Sequence, residues 1–107
     1  MDNRFGLIIN GQKRAGDLPP RPVINPATGQ VLRDAPEASS KLLNLAVESA
    51  NQAFESWKNV SHMTRKAMLT EIADNLEAAM EELATLIVEE QGKPLDLARM
   101  EVGGAVA

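Results

Sequence analysis

The sequence predicts an extended β-hairpin arm followed by three to four α-helices. Two observations carry this reading. Residues 1–38 hold five of the six prolines and four of the seven glycines, a density that excludes regular helix there. From Ser39 onward the apolar residues recur at spacings of three and four, the period of a helix that buries one face. The chain thus divides into an arm over residues 1–38 and a helical region over residues 39–107.

Within the arm, Phe5 to Ile9 reads as a short strand. Asn10-Gly11 then signals a two-residue hairpin, because a type I′ turn needs positive φ at both central positions. The partner strand is Gln12 to Ala15, polar and therefore at an edge, and Gly16 to Pro20 reads as an irregular connection. Val23-Ile24 and Val31-Leu32 bracket a second turn, with Pro26 fixing φ at its start and Gly29 supplying the left-handed position at its end. Isolated hairpins are marginal in water without a surface to pack on, so a wrapping extended arm is the alternative.

The first helix starts at Ser39 or Ser40, whose hydroxyl caps an orphan N–H, and carries the stripe Leu43, Val47, Ala50, Phe54 and Trp57. Asn59 to Ser61 breaks the pattern, and Ser61 caps a second helix with the stripe Leu69, Ile72, Leu76, Met80, Leu83 and Ile87. No Pro or Gly marks a break near Met80. Gly92 is placed for a left-handed residue that ends this run, and Pro94 suits the first turn of the next helix. That last helix reaches Ala107 with no capping signal, so the sequence reads as cut there.

Composition bounds the function. The chain has 107 residues, a net charge of −4 and no cysteine. The acidic balance argues against nucleic acid, which needs clustered Lys and Arg. Without cysteine there is no disulfide, thiolate metal site or thiol nucleophile within these residues. The apolar run Leu7-Ile8-Ile9 is too short for a signal peptide or a membrane span, so no membrane partner is expected and a cytoplasmic location is the default. With aromatics at only 3%, the core must be aliphatic.

Candidate chemistry is sparse. His62 is the sole histidine and has no local carboxylate to orient it and no nucleophile to serve, so it reads as an exposed, non-catalytic residue. Glu81-Glu82 and Glu89-Glu90 are adjacent pairs that diverge by about 100° on a helix and do not converge on one point. They read as solvated faces. Gly103-Gly104 is no phosphate cradle, since no strand precedes it. Lys93 after a helix end reads as a partner of the helix dipole. The methionines read as gap-fillers in a Leu- and Ala-rich stripe.

Five stretches together resemble one family. Ile8-Ile9-Asn10-Gly11, Asn25-Pro26-Ala27-Thr28-Gly29, Ala53-Phe54-x-x-Trp57 with Arg65 downstream, Glu90-Gln91-Gly92-Lys93-Pro94, and Glu101-Val102 resemble, in order and spacing, the N-terminal region of the NAD(P)-dependent aldehyde dehydrogenases. The resemblance implies an α/β parent fold with a Rossmann-type coenzyme domain, of which residues 39–107 form the outer helices. It also implies a bend near Ala79 to Glu82. The parent reaction oxidises an aldehyde to a carboxylic acid with NAD or NADP, and the parent is expected to be a homo-oligomer. In the family a cysteine thiolate attacks the aldehyde, hydride passes to the nicotinamide, and a glutamate-activated water hydrolyses the thioester, with donors at the oxyanion. None of those groups has a motif match here, so no catalytic or cofactor-binding residue is assigned, and the isolated chain is expected to be inactive and to bind no coenzyme. In members with a structural monovalent cation, the resemblance places ligands at the carbonyl of Val23 or Ile24 and at Glu90. The rival reading is a non-enzymatic helical interaction module, which a stop codon directly after Ala107 would favour. Neither the substrate aldehyde nor the choice between NAD and NADP is written in these residues.

Overall fold

The computed structural model describes residues 5–107, which form four strands and four helices. Strands β1 (Leu7–Ile9) and β2 (Gln12–Arg14) pair antiparallel, with Leu7 opposite Arg14, Ile8 opposite Lys13 and Ile9 opposite Gln12. Asn10 (φ 54°) and Gly11 (φ 68°) make the turn with both φ values positive, as the Asn-Gly pair predicts. Strands β3 (Leu18–Ile24) and β4 (Val31–Glu37) form a second two-stranded sheet.

Here the structure corrects the sequence reading: Leu18 to Pro20 is strand, not irregular connection. Prolines 19, 20 and 22 signal against a central strand, but each strand of a two-stranded sheet is an edge and tolerates missing donors. At the tip, Asn25 Oδ1 accepts from the Ala27 N–H (2.9 Å), its carbonyl from the Gly29 N–H (2.8 Å), and its own N–H donates to the Gln30 carbonyl (2.9 Å). This closes the turn that Pro26 and Gly29 (φ 72°) begin and end.

The helices are α1 (Ser40–Trp57), α2 (His62–Ala78), α3 (Met80–Gln91) and α4 (Leu95–Val106). Ser39 caps α1 and Ser61 caps α2, each accepting the N–H three residues on, from Leu42 and Thr64. No strand lies between Lys41 and Gln91 among the described residues. The run from α2 to α3 breaks at Ala79 (φ −96°, ψ 9°), whose N–H is shared between the carbonyls of Asn75 and Leu76 at 3.2 Å each. Gly92 ends α3 in the left-handed region (φ 69°). Pro94, expected inside the first turn of α4, sits one residue earlier as its N-cap, with extended ψ of 140°.

Chain contacts divide the protein into two compact units. The first comprises the described residues up to Val23 together with Arg33–Val60. In it β1 packs on α1 and buries Ile9. Gly16 passes so close to β4 that a Cβ there would lie 2.3 Å from the Glu37 carbonyl oxygen, and the next N–H, from Asp17, donates to that oxygen at 3.1 Å. The face that α1 half-buries is Leu42, Ala46 and Ser49. The predicted stripe lies off that face: Leu43, Val47, Phe54 and Trp57 are 40–61% exposed.

The second unit comprises Ile24–Leu32 and Ser61–Ala107. Helices α3 and α2 both pack on α4 around fully buried Ala84 and Ala98 and the buried Val102, with Met80, Leu83, Ile87 and Val88 packed against them. Val102 is covered because the small side chains of Ala84 and Ala98 let the two helices approach closely. One expectation changes here. The stripe of α2 is packed only from Leu76 onward; Leu69 and Ile72 are exposed.

Candidate functional site

The feature that organises the second unit is the junction between α3 and α4. At Gly92 the chain takes a conformation that costs an L-residue about 1–2 kcal/mol and glycine almost nothing. Its missing side chain also leaves room for the proline of the Asn25–Gly29 turn, since a Cβ at Gly92 would lie 3.1 Å from Pro26 Cγ. The two stretches singled out in the sequence, N-P-A-T-G and E-Q-G-K-P, thus meet in space. Pro94 then starts α4, and Lys93 between them pairs with Glu101 two turns along that helix. The sequence, where Lys93 reads only as a partner of the helix dipole, gives no sign of this ion pair.

Glu90 stands on the last turn of α3 with its side chain exposed. Ile24 is the last residue of β3, next to the turn that Gly92 approaches, so both belong to the second unit. Val23, half-buried, falls in the first unit. His62 is the exposed first residue of α2, beyond its Ser61 cap. Among the described residues no three His, Cys, Asp or Glu side chains group as a metal centre, and cysteine is absent from the sequence. Among the described residues no helix is long and apolar enough to cross a membrane.

Two charged constellations escaped the sequence reading. On α4, Arg99 holds the Glu81 carboxylate of α3 with Nε (2.9 Å) and Nη2 (2.9 Å), a bidentate fork, while Nη1 reaches Asp96 Oδ1 (3.2 Å). These hydrogen bonds hold the Glu81 carboxyl below the usual carboxylate range and raise the Arg99 guanidinium. The Asp96–Arg99 spacing of three was legible; the cross-helix partner was not. In the first unit Asp17 accepts from Ser39, which lowers its carboxyl in the same way.

Among the described residues a crevice opens in each unit. In the first unit a cavity of about 390 Å³ is lined by Phe5, Lys13, Arg14, Leu18, Pro20 and Asp34. In the second, a groove of about 510 Å³ runs between α2 and the end of α4, apolar along Leu69, Ile72 and Leu76 and basic at His62, Arg65 and Lys66. Neither contains a nucleophile with a base beside it. The junction is a structural device, able to hold two segments together and to present oxygen donors.

Comparison with known proteins gives a consistent result. A family model described as the aldehyde dehydrogenase family matches residues 14–107. The chain is 43% identical over 86 residues to the 3,6-anhydro-alpha-L-galactose dehydrogenase of Streptomyces coelicolor, covering 80% of this chain and 18% of that protein. It superposes on a crystal structure of succinate-semialdehyde dehydrogenase from Burkholderia pseudomallei with a TM-score of 0.90 and 32% identity, covering 96% of this chain and 22% of that one. A NAD-dependent benzaldehyde dehydrogenase from Corynebacterium glutamicum gives a TM-score of 0.85 at 27% identity, with 90% and 21% covered. The chain spans about a fifth of the length of the curated relatives it matches.

Proposed function

This chain belongs to the aldehyde dehydrogenase family, and on that premise we propose that it is the N-terminal part of an oxidoreductase that converts an aldehyde to a carboxylic acid with NAD or NADP. The observation that carries the reading is the coincidence of sequence and fold over nearly the whole chain, against only about a fifth of each relative. In that assignment residues 1–38 are an extended arm and residues 39–107 the outer helices of the coenzyme-binding domain, in a cytoplasmic homo-oligomer. Their work is scaffolding: Gly92 and Pro26 lock the arm's turn to the helices, and Arg99 ties α3 to α4. The thiohemiacetal needs a thiol, which this chain does not supply. No observation favours the non-enzymatic module.

The test is an assay of the gene product that contains this chain, beside the 107-residue chain alone, with NAD and NADP and a panel of aliphatic, aromatic and semialdehyde substrates. The complete product should form reduced coenzyme and the isolated chain should not. Failure of the complete product on every aldehyde overturns the enzymatic reading. Turnover by the isolated chain overturns the scaffolding role.

From the family resemblance, the carbonyl of Val23 or Ile24 and the carboxylate of Glu90 are proposed as ligands of a structural monovalent cation. They are hard oxygen donors, the type such ions take, and the approach of Gly92 to Pro26 supports the placement of Glu90 beside the turn after Ile24. Bound there, the ion would fasten the turn to the end of α3. The unfolding midpoint of the gene product should be higher in potassium or sodium chloride than in choline chloride at equal ionic strength, and Glu90→Gln should remove the difference. Equal midpoints in all three salts would refute the site.

A further inference from the structure

The geometry points to a site of spontaneous covalent modification at Asn10-Gly11, at the tip of the β1–β2 hairpin. The chemistry is succinimide formation. The backbone nitrogen of Gly11 attacks Cγ of Asn10, an N–Cγ bond forms, the Cγ–Nδ2 bond breaks, and the amide nitrogen leaves as ammonia with the proton from Gly11. Water, the single co-reactant, then opens one of the two imide C–N bonds. Opening at Cγ leaves an aspartyl residue at position 10; opening at the α-carbonyl leaves an isoaspartyl residue, with the chain rerouted through the side chain.

Four observations single out this asparagine. It is the one asparagine of the seven that precedes glycine, so no side chain on the attacking residue obstructs the approach. Both residues of the turn are exposed, and nothing lies within 4 Å of where a Gly11 Cβ would be. The flanking strands are only three residues each, and β2 is exposed throughout, so the ladder opens readily enough for the turn to leave its positive-φ geometry and reach the attack conformation. The other described asparagines are each obstructed. Asn25 precedes Pro26, whose nitrogen has no proton to lose. Asn44, Asn51 and Asn75 lie inside helices that engage the following N–H. Asn59 donates its side-chain amide to the Glu55 carbonyl, and the next N–H, from β-branched Val60, donates to Trp57.

The isoaspartyl product has a structural consequence. It adds a backbone atom to a two-residue turn whose length fixes Ile9 opposite Gln12, so the β1–β2 register cannot be kept. Ile9, the buried residue of β1, is then released from its place beside α1. Conversion therefore acts as a slow clock on the first unit.

The experiment is to age the purified protein in mildly alkaline buffer and map its peptides over time, with isoaspartyl methyltransferase labelling to separate the two products. A free peptide of residues 7–14 is aged in parallel. Position 10 should convert several-fold faster than any other asparagine, give more isoaspartyl than aspartyl product, and speed hydrogen exchange at Ile9 and Gln12 in the converted fraction. Asn10→Gln should abolish both the labelling and the change in exchange. An Asn10 that stays intact while the free peptide converts, or that converts no faster than Asn44 or Asn51, overturns the inference.

Discussion

Ser39 donates twice to the carboxylate of Asp17, through its backbone N–H to Oδ1 (2.7 Å) and through its hydroxyl to Oδ2 (2.5 Å), while that same hydroxyl oxygen accepts the Leu42 N–H. One side chain therefore joins the strand arm to the first turn of α1 and caps that helix. Removing the hydroxyl, Ser39→Ala, should cost about 0.5–2 kcal/mol in denaturant unfolding, the usual range for a lost N-cap.

The pair also makes stability depend on pH. The Ser39 hydroxyl, and after it the Ser39 N–H, favour the charged carboxylate and hold Asp17 below its ordinary value. A folded-state pKa that is depressed gives stability present above the unfolded value, about 3.9 for aspartate, and lost as pH falls through the folded one. Asp17→Asn should therefore narrow the difference in unfolding midpoint between neutral and strongly acidic buffer. An unchanged difference would show that Asp17 does not contribute to it.

Two glycines should resist substitution for different reasons. Gly16→Ala places a Cβ against the Glu37 backbone, which cannot swing away, and should cost roughly 1–3 kcal/mol, as overpacking does. Gly92→Ala forces an L-residue to φ 69° and presses on Pro26, at roughly 1–2 kcal/mol. Denaturation of each variant measures both, and the cost at Gly92 should not be recovered by removing the proline ring with Pro26→Ala, since the backbone strain remains.

Within the second unit the smallest apolar side chains are the least replaceable. Ala98→Leu should destabilise by about 1–3 kcal/mol, because α3 and α4 meet over a side chain with no free surface. Val47→Ala on α1, 61% exposed, should change the stability of the isolated chain by less than about 0.5 kcal/mol. The same exposed stripe should bind a hydrophobic dye, and acrylamide should quench Trp57 readily.

Arg99→Lys keeps the charge and loses the fork on Glu81. It should lower the unfolding midpoint slightly, and the deficit should shrink as salt is raised, because the group is exposed and screened. A deficit independent of salt would mean that the guanidinium acts by packing.

The helices were legible because their signals are local. Ser39, Ser61 and Gly92 sit at the ends they mark, and a period of three to four needs no partner to be read. Strand β3 was only half legible, since Pro19, Pro20 and Pro22 signal against strand and the freedom of a two-stranded edge is not written beside them. Ala79 carries no breaking residue, so the bend there came only from family resemblance. On α1 periodicity identified the apolar stripe but not what covers it: in this chain Leu42 and Ala46 are half-buried, while Leu43 and Val47 are exposed. At the junction, Gly92 and Pro26 were each readable as punctuation, whereas their meeting depends on tertiary structure.

That meeting has a kinetic side. The second unit is discontinuous: Ile24–Leu32 is made early, and Ser61–Ala107 follows only after α1. During synthesis Pro26 leaves the ribosome long before Gly92 exists, so the turn must wait without its partner. Closing so long a loop carries an entropic cost that grows with the logarithm of its length and is incurred before the contact returns anything. Helices α2 to α4 can assemble at the speed of neighbours in sequence, while docking of the turn on Gly92 belongs to the slow class of non-local contacts. The last event in the folding of this unit should be the arrival of its earliest-made segment.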